Sequence, residues 1–118
     1  MPLPRRIESY VHRGRIGVLV EFEFEDSLLS GVDDFLAFTR DVAQHIAASN
    51  PRDIGDLLQQ GFVKDPDTTI ETLLRRQILK FGDNIKITRF TRWDTEVATP
   101  ENDDEPPKGP AVLMKLVK

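Results

Sequence analysis

Three acidic side chains alternate along one stretch of this sequence and are its clearest candidates for chemistry. Glu21, Glu23 and Glu25 would share one face of an extended strand, because successive side chains of a strand point to opposite faces. Carboxylates in such a row can hold a cation or work as an acid and base pair. They can also pair with the basic residues of 84–94 on a neighbouring strand. We expect this second arrangement, a solvated and charge-paired face.

The two histidines do not form a pattern typical of catalysis or metal binding. His12 and His45 lie 33 positions apart, which is poor spacing for a metal site. His12 precedes a predicted turn and is expected to be exposed. His45 lies beside the apolar Ile46 in a predicted helix, so we expect a structural or interface histidine.

Sequence patterns that carry enzyme chemistry are missing. The chain has no cysteine, and it contains no P-loop, no Gly-x-Ser-x-Gly elbow and no His-Glu-x-x-His pattern. Since no nucleophile and base can be named, we expect a binding protein and not an enzyme, with no cofactor and no metal.

Basic and aromatic side chains interleave near the end of the last predicted strand, at Arg89, Phe90, Arg92 and Trp93. Sheets that stack nucleic-acid bases show the same interleaving. However, 16 Lys+Arg stand against 20 Asp+Glu, with a net charge of −4, so the basic footprint of a nucleic-acid binder is missing. We expect no nucleic-acid partner.

Two predicted strands at the start of the chain form a hairpin. Residues 7–12 are followed by Arg13-Gly14, where glycine permits a tight turn. Residues 15–25 then alternate between apolar and polar side chains, which predicts a strand with one buried face.

A third strand is predicted over residues 84–94. Its apolar positions change phase, since Ile85 and Ile87 fall on one face and Phe90 on the other. A β-bulge near Thr88-Arg89 would reconcile the two halves.

Apolar residues at helical spacing predict a helix from Val32 that ends at Asn50-Pro51. A short helix is expected over 53–60 and a loop over 61–67. The capping-box pattern Thr68–Glu71 then predicts the start of a third helix, which ends at Gly82.

These elements predict the α+β class, with helices packed on one face of a small, mostly antiparallel sheet of about three strands. We predict one domain over 1–95 and an acidic, proline-rich linker over 96–110. The apolar residues 111–118 could form a fourth, edge strand, a helical turn or a disordered end. With no stretch approaching the ~18 apolar residues of a membrane span, we expect a cytoplasmic protein without a membrane partner.

Three stretches, in this order, resemble the dimerisation (core) domain of bacterial elongation factor Ts. Residues 9–21 are similar to its Ser-Tyr-Ile-His…Gly-Arg-Ile-Gly-Val-Leu-Val hairpin. Residues 41–51 are similar to its Asp-Ile-Ala-Met-His-Ile-Ala-Ala-x-Asn-Pro helix end. Residues 61–66 and 82–93 resemble its Phe-Val-Lys-Asp and Gly-Glu-Asn-Ile…Arg-Phe-x-Arg-Phe segments. The resemblance implies a role in translation elongation, with elongation factor Tu as the partner.

The resemblance also implies where the partner binds. In the family, an Asp-Phe pair after the second strand enters factor Tu beside its magnesium site and helps to expel GDP. The register puts Ser27 and Leu28 at these two positions, within Asp26, Ser27, Leu28 and Leu29. A hydroxyl cannot replace the charge of a carboxylate, so we expect weakened or lost guanine-nucleotide exchange. Asp26 lies one place early and is a poor substitute. Seven further residues are candidate partner or interface contacts: His12, Leu19, His45, Arg89, Phe90, Arg92 and Trp93.

Two family segments have no counterpart in this sequence, which is expected to be a truncated, divergent, single-module member. One is a small ubiquitin-associated-like domain at the N-terminus. The other is a long helical segment after the Asn-Pro helix end, where only residues 52–60 bridge the gap. Single-module forms pair into homodimers, so a homodimer through the sheet face that bears Leu19 is a candidate. The alternative is a repurposed interaction or self-assembly module with this fold and a different protein partner.

Overall fold

The computed structural model describes residues 2–96 of the 118. The predicted fourth strand and all of the predicted linker after Glu96 therefore lie outside the described residues. The elements follow in this order: β1 (Arg5–His12), β2 (Ile16–Glu23), a 3-10 helix (Ser27–Gly31), α1 (Asp33–Ser49), α2 (Ile54–Gln59), β3 (Gly61–Phe62), β4 (Asp65–Thr69), α3 (Ile70–Phe81) and β5 (Lys86–Asp94).

The main sheet has three antiparallel strands in the order β1-β2-β5. β1 and β2 are joined by the predicted turn, in which Arg13 and Gly14 both have positive φ angles of 55° and 67°. Two such residues in succession suit the right-handed twist of a hairpin. The α+β class and the small antiparallel sheet are thus confirmed.

A β-bulge interrupts β5 at the predicted place. Glu21 lies opposite Arg89, but its neighbour Phe22 lies opposite Ile87, so Thr88 is an extra residue. The extra residue reverses the alternation, and the buried positions on either side of Thr88 therefore have opposite parity.

α1 covers one face of this sheet and packs on β1 and β2. Asn50 ends the helix in the left-handed conformation, and its N–H donates to the Ile46 carbonyl at 3.0 Å. Four phenylalanines form the centre of the core between helix and sheet, with Phe24 and Phe35 edge to face at 5.2 Å between ring centres. The four are Phe22, Phe24, Phe35 and Phe38.

The predicted loop over 61–67 is wrong, because β3 and β4 form a second, two-stranded antiparallel sheet. Gly61 allows the two strands to meet: a Cβ atom there would lie 2.4 Å from the Pro66 carbonyl oxygen. Sequence patterns missed this hairpin since β3 has two residues and β4 contains a proline, which ordinarily argues against a strand.

The predicted capping box at the start of α3 is wrong by one residue. Thr69 is the N-cap, and its hydroxyl oxygen accepts from the Thr72 N–H at 3.1 Å. Glu71 pairs instead with Arg75, at 3.2 Å. The predicted end of the helix is confirmed, with Gly82 at a φ of 61°.

Candidate protein-binding sites

The residues that follow β2 form an exposed projection, residues 26–29, called here the tip. The Asp26 carboxylate accepts from the Leu28 N–H at 2.9 Å and so caps the 3-10 helix. Leu29 is buried and attaches the tip to the core, whereas Leu28 is 76 % exposed. The tip therefore presents one large apolar side chain to solvent.

The Asp83 carboxylate is hydrogen-bonded to the backbone at the start of the tip, and sequence analysis did not predict this residue. Its carboxylate accepts from the Glu25 N–H at 3.0 Å and from the Asp26 N–H at 2.9 Å. No sequence signal distinguishes this aspartate, since its partners are backbone groups more than 50 positions away. Glu25 thus lies in the connection to the tip and does not extend the row of Glu21 and Glu23.

The second candidate surface is the face of the main sheet that no helix of residues 2–96 covers, called here the open face. Leu19 is 48 % exposed beside an open groove, and Trp93, next to the last residue of β5, is 77 % exposed. Ile7, Leu19 and Thr91 line this groove, of about 390 Å³. Exposed apolar side chains that cluster on a surface are typical of protein interaction sites. The exposed apolar residues of this face are Ile7, Val11, Leu19 and Trp93.

Glu21 lies in the middle of the open face, and its charge is neutralised there. Arg89 donates to its carboxylate at 3.1 and 3.3 Å, and the Thr88 hydroxyl donates at 2.7 Å. The Thr88 hydroxyl and the Arg89 guanidinium lower the pKa of this carboxyl below its ordinary value. The predicted charge pairing with β5 is confirmed for Glu21. The predicted solvation is wrong, because the residue is only 6 % exposed beneath its partners. Glu23 pairs with Arg5 of β1 instead, at 3.3 Å.

Arg92 and Phe90 lie on the helix-covered side of β5 and not on the open face. Arg92 donates from Nε and Nη2 to the Ala47 carbonyl, at 3.2 and 3.0 Å. A guanidinium is favourable there because carbonyls near the end of a helix lack partners within the helix. Phe90 packs against the core. These two side chains hold helix to sheet, while Arg89 and Trp93 face outward.

The two histidines have different environments. His45 is buried, and its Nδ1 accepts from the Val63 N–H at 3.2 Å. Its Nε2 therefore carries the proton and donates to the Gln60 side-chain oxygen at 2.8 Å. Burial lowers the pKa of His45, and the neutral ring connects α1 to Gln60 and Val63, the residues on either side of β3. His12 lies by the hairpin turn, with Nδ1 3.0 Å from the Tyr10 hydroxyl.

Across residues 2–96, no three His, Asp or Glu side chains are grouped so that they could hold a metal ion. Within the same range, every helix is too short or too polar to cross a membrane.

Comparison with known proteins agrees with the predicted resemblance. The family described as "Elongation factor TS" matches residues 4–56. Elongation factor Ts of Alkaliphilus oremlandii is 35 % identical over 133 aligned positions, which cover 75 % of this chain and 62 % of the relative. Elongation factor Ts of Desulfosudis oleivorans is 30 % identical and covers 74 % of this chain and 67 % of the relative. This chain belongs to the elongation factor Ts family. The family's protein from Carboxydothermus hydrogenoformans, at 29 % identity, aligns with 95 % of the chain and 73 % of its own length.

This family member covers only part of the relatives it matches, 62 % of the length of the Alkaliphilus protein. That alignment has 133 positions, whereas 75 % of the 118 residues is about 88. About 45 positions of the relative therefore have no counterpart within the aligned region, which agrees with the predicted loss of an internal segment.

Proposed function

We propose that this elongation factor Ts family member is a protein-binding module of translation elongation that docks on elongation factor Tu in the cytoplasm. Guanine-nucleotide exchange is weakened or lost, and the chain performs no covalent chemistry. The observation that carries the proposal is the tip, where Leu28 is 76 % exposed and the Asp26 carboxylate accepts from the Leu28 N–H.

The tip suits insertion into a partner because its conformation is fixed before binding. Asp83 holds the Glu25 and Asp26 amides, Asp26 holds the Leu28 amide, and Leu29 is buried in the core. A loop ordered in advance loses little conformational freedom on binding, which favours affinity. Leu28 stands where the family resemblance implies a phenylalanine, so it is the apolar contact.

The same geometry supports weakened or lost exchange. An exchange factor favours a partner conformation with low nucleotide affinity, and the coupling between the two ligands is reciprocal. The family's aspartate position is Ser27 here. The Asp26 carboxylate lies one position before it and already accepts from the Leu28 N–H at 2.9 Å, so one of its oxygens is engaged in capping. The tip therefore retains a means of docking but not the charge implied for expelling GDP.

The open face supports a second contact, a homodimer. Two of its exposed apolar residues, Ile7 and Leu19, neighbour Glu21, whose carboxylate already has donors from Thr88 and Arg89. Covering this face with a second copy would remove apolar surface from water. It would also leave no unpaired carboxylate at the centre, which limits the desolvation penalty. Leu19 lies near the middle of this surface, on the central strand.

The alternative is an interaction or self-assembly module that has this fold and a different protein partner. The capping role of Asp26 favours it, since a tip whose carboxylate already accepts from its own backbone need not act on a nucleotide site at all. Pull-down from the native cytoplasm distinguishes the two functions: recovery of factor Tu as the main partner contradicts the alternative.

The deciding experiment measures release of a fluorescent GDP analogue from factor Tu of the same organism, with calorimetry on the same samples. The expected result is a complex with little acceleration of GDP release. Leu28→Asp should abolish the complex, whereas Leu79→Asp, at another leucine that is 84 % exposed but lies on α3, should not. Absence of a complex at tens of micromolar protein would contradict the proposal, and strong acceleration would contradict the loss of exchange.

A further inference from the structure

Asp83 is a buried carboxylate whose contacts serve an exposed part of the molecule. It is 4 % exposed, and a buried carboxylate is unfavourable unless hydrogen bonds compensate for its lost hydration. Its donors are the backbone amides of Glu25 and Asp26, at 2.9–3.2 Å. These two residues connect β2 to the tip.

The backbone of Asp83 is itself fixed by the end of α3. Gly82 ends the helix in the left-handed conformation, and both it and Asp83 donate to the Ile78 carbonyl, at 2.9 and 3.3 Å. The Asp83 carbonyl in turn accepts from the Ile85 N–H at 3.0 Å. The carboxylate therefore projects from a rigid corner between a helix and a strand.

A continuous series of hydrogen bonds links this corner to the exposed leucine. The Asp83 carboxylate holds the Asp26 amide at 2.9 Å, and the Asp26 carboxylate holds the Leu28 amide at 2.9 Å. Of the four tip residues only Leu29 is buried, so apolar packing anchors one end of the tip and Asp83 the other.

We propose that Asp83 is the positioning residue of the tip, which fixes residues 26–28 so that Leu28 is presented in one conformation. Its consequence for partner affinity rests on the proposed function, whereas its effect on the tip of the free protein does not. Because its carboxylate is buried against them, Asp83 acts through the backbone amides of Glu25 and Asp26.

The test substitutes Asp83→Asn, which keeps the shape but replaces one acceptor oxygen by a donor facing an N–H group. The matched control is Asp53→Asn, because the Asp53 carboxylate also accepts from a backbone amide, that of Asp56 at 2.8 Å, but at the start of α2. Asparagine caps helices as well as aspartate does, so this control should be mild.

Two measurements are made on both variants: hydrogen exchange of the Glu25 and Asp26 amides in the free protein, and affinity for factor Tu. We expect Asp83→Asn to accelerate exchange at both amides about tenfold and to weaken the factor Tu complex about tenfold, as loss of a charged hydrogen bond does. Asp53→Asn should change neither quantity.

Unchanged amide exchange in Asp83→Asn overturns the proposal, and so does faster exchange with unaltered affinity. If Asp83→Asn does not fold, the wild-type protein decides: the proposal requires its Glu25 and Asp26 amides to exchange slowly, and fast exchange there refutes it. If wild-type protein does not bind factor Tu, the proposed function fails by itself, and the amide measurements still decide whether Asp83 holds the tip.

Discussion

The tip and the open face both expose apolar side chains, but these side chains are held in place in different ways. The tip presents one leucine, and directional hydrogen bonds that the Asp83 and Asp26 carboxylates accept from backbone amides set its place. The open face presents side chains from three strands, and the register of the sheet sets their places.

The two surfaces should therefore tolerate different substitutions. Binding through the tip depends on the position of one side chain, as in interfaces where a few residues carry most of the affinity. Binding through the open face depends on an area, so the loss of one methyl group matters less there than the introduction of a charge.

The largest expected effect is on the dimer Kd, in a variant that changes the open face and leaves the tip intact. Leu19→Asp would put an unpaired carboxylate into the proposed homodimer interface, which costs about 3–5 kcal/mol and raises the dimer Kd at least about a hundredfold. Sedimentation equilibrium measures this change. Factor Tu affinity should remain as in the wild type, and a dimer of undiminished strength would remove the open face as the interface.

A smaller effect is expected at the tip. Leu28→Ala removes an apolar side chain that is exposed in the free protein, so the melting temperature should not change. Since burying a leucine is worth about 1.5–3 kcal/mol, affinity for factor Tu should fall about tenfold in calorimetry. Leu79→Ala is the control, and an equal loss of affinity in that variant would argue against the tip.

Two substitutions of Asp26 separate the contribution of its helix cap to partner affinity from the contribution of its charge. Asp26→Ala removes the cap of the 3-10 helix, which is worth about 1 kcal/mol, and should weaken factor Tu binding several-fold. Asp26→Asn keeps the acceptor and should bind as the wild type does. If both variants lose affinity equally, the charge of Asp26 and not its cap is what the partner requires.

The smallest effect on binding is expected at Glu21, where the measurement is stability against pH. Because its folded-state pKa is lowered by Thr88 and Arg89, Glu21 stabilises the fold above the ordinary glutamate pKa. That stabilisation is lost as pH falls through the folded-state value. The difference in melting temperature between wild type and Glu21→Gln should thus be largest near neutral pH and shrink in acid. A difference independent of pH would contradict the lowered pKa.

Sequence patterns predicted the elements whose signal is repeated over many residues. The alternation of 15–25 and the helical spacing after Val32 each depend on a buried face, so β2 and α1 were found with nearly the observed bounds. The bulge at Thr88 was also predicted, because the two halves of β5 bury residues of opposite parity.

Single long-range contacts were not predictable in the same way. Asp83 bonds to backbone amides, which every residue has, so no residue type marks its partners. Likewise, Arg92 and Arg89 have the same side chain three positions apart in β5, and only the bulge and the packing of α1 decide that one caps a helix and the other faces outward.

The side of the sheet on which each later β5 side chain lies depends on the one extra residue, Thr88. Before it, Ile87 faces the helices; after it, Phe90 does, and Arg89 faces outward. Gain or loss of one residue here would exchange every later side chain of the strand between the two sides of the sheet. An insertion or deletion that looks minor in a sequence alignment would therefore change the side chains of the open face and also disrupt the core.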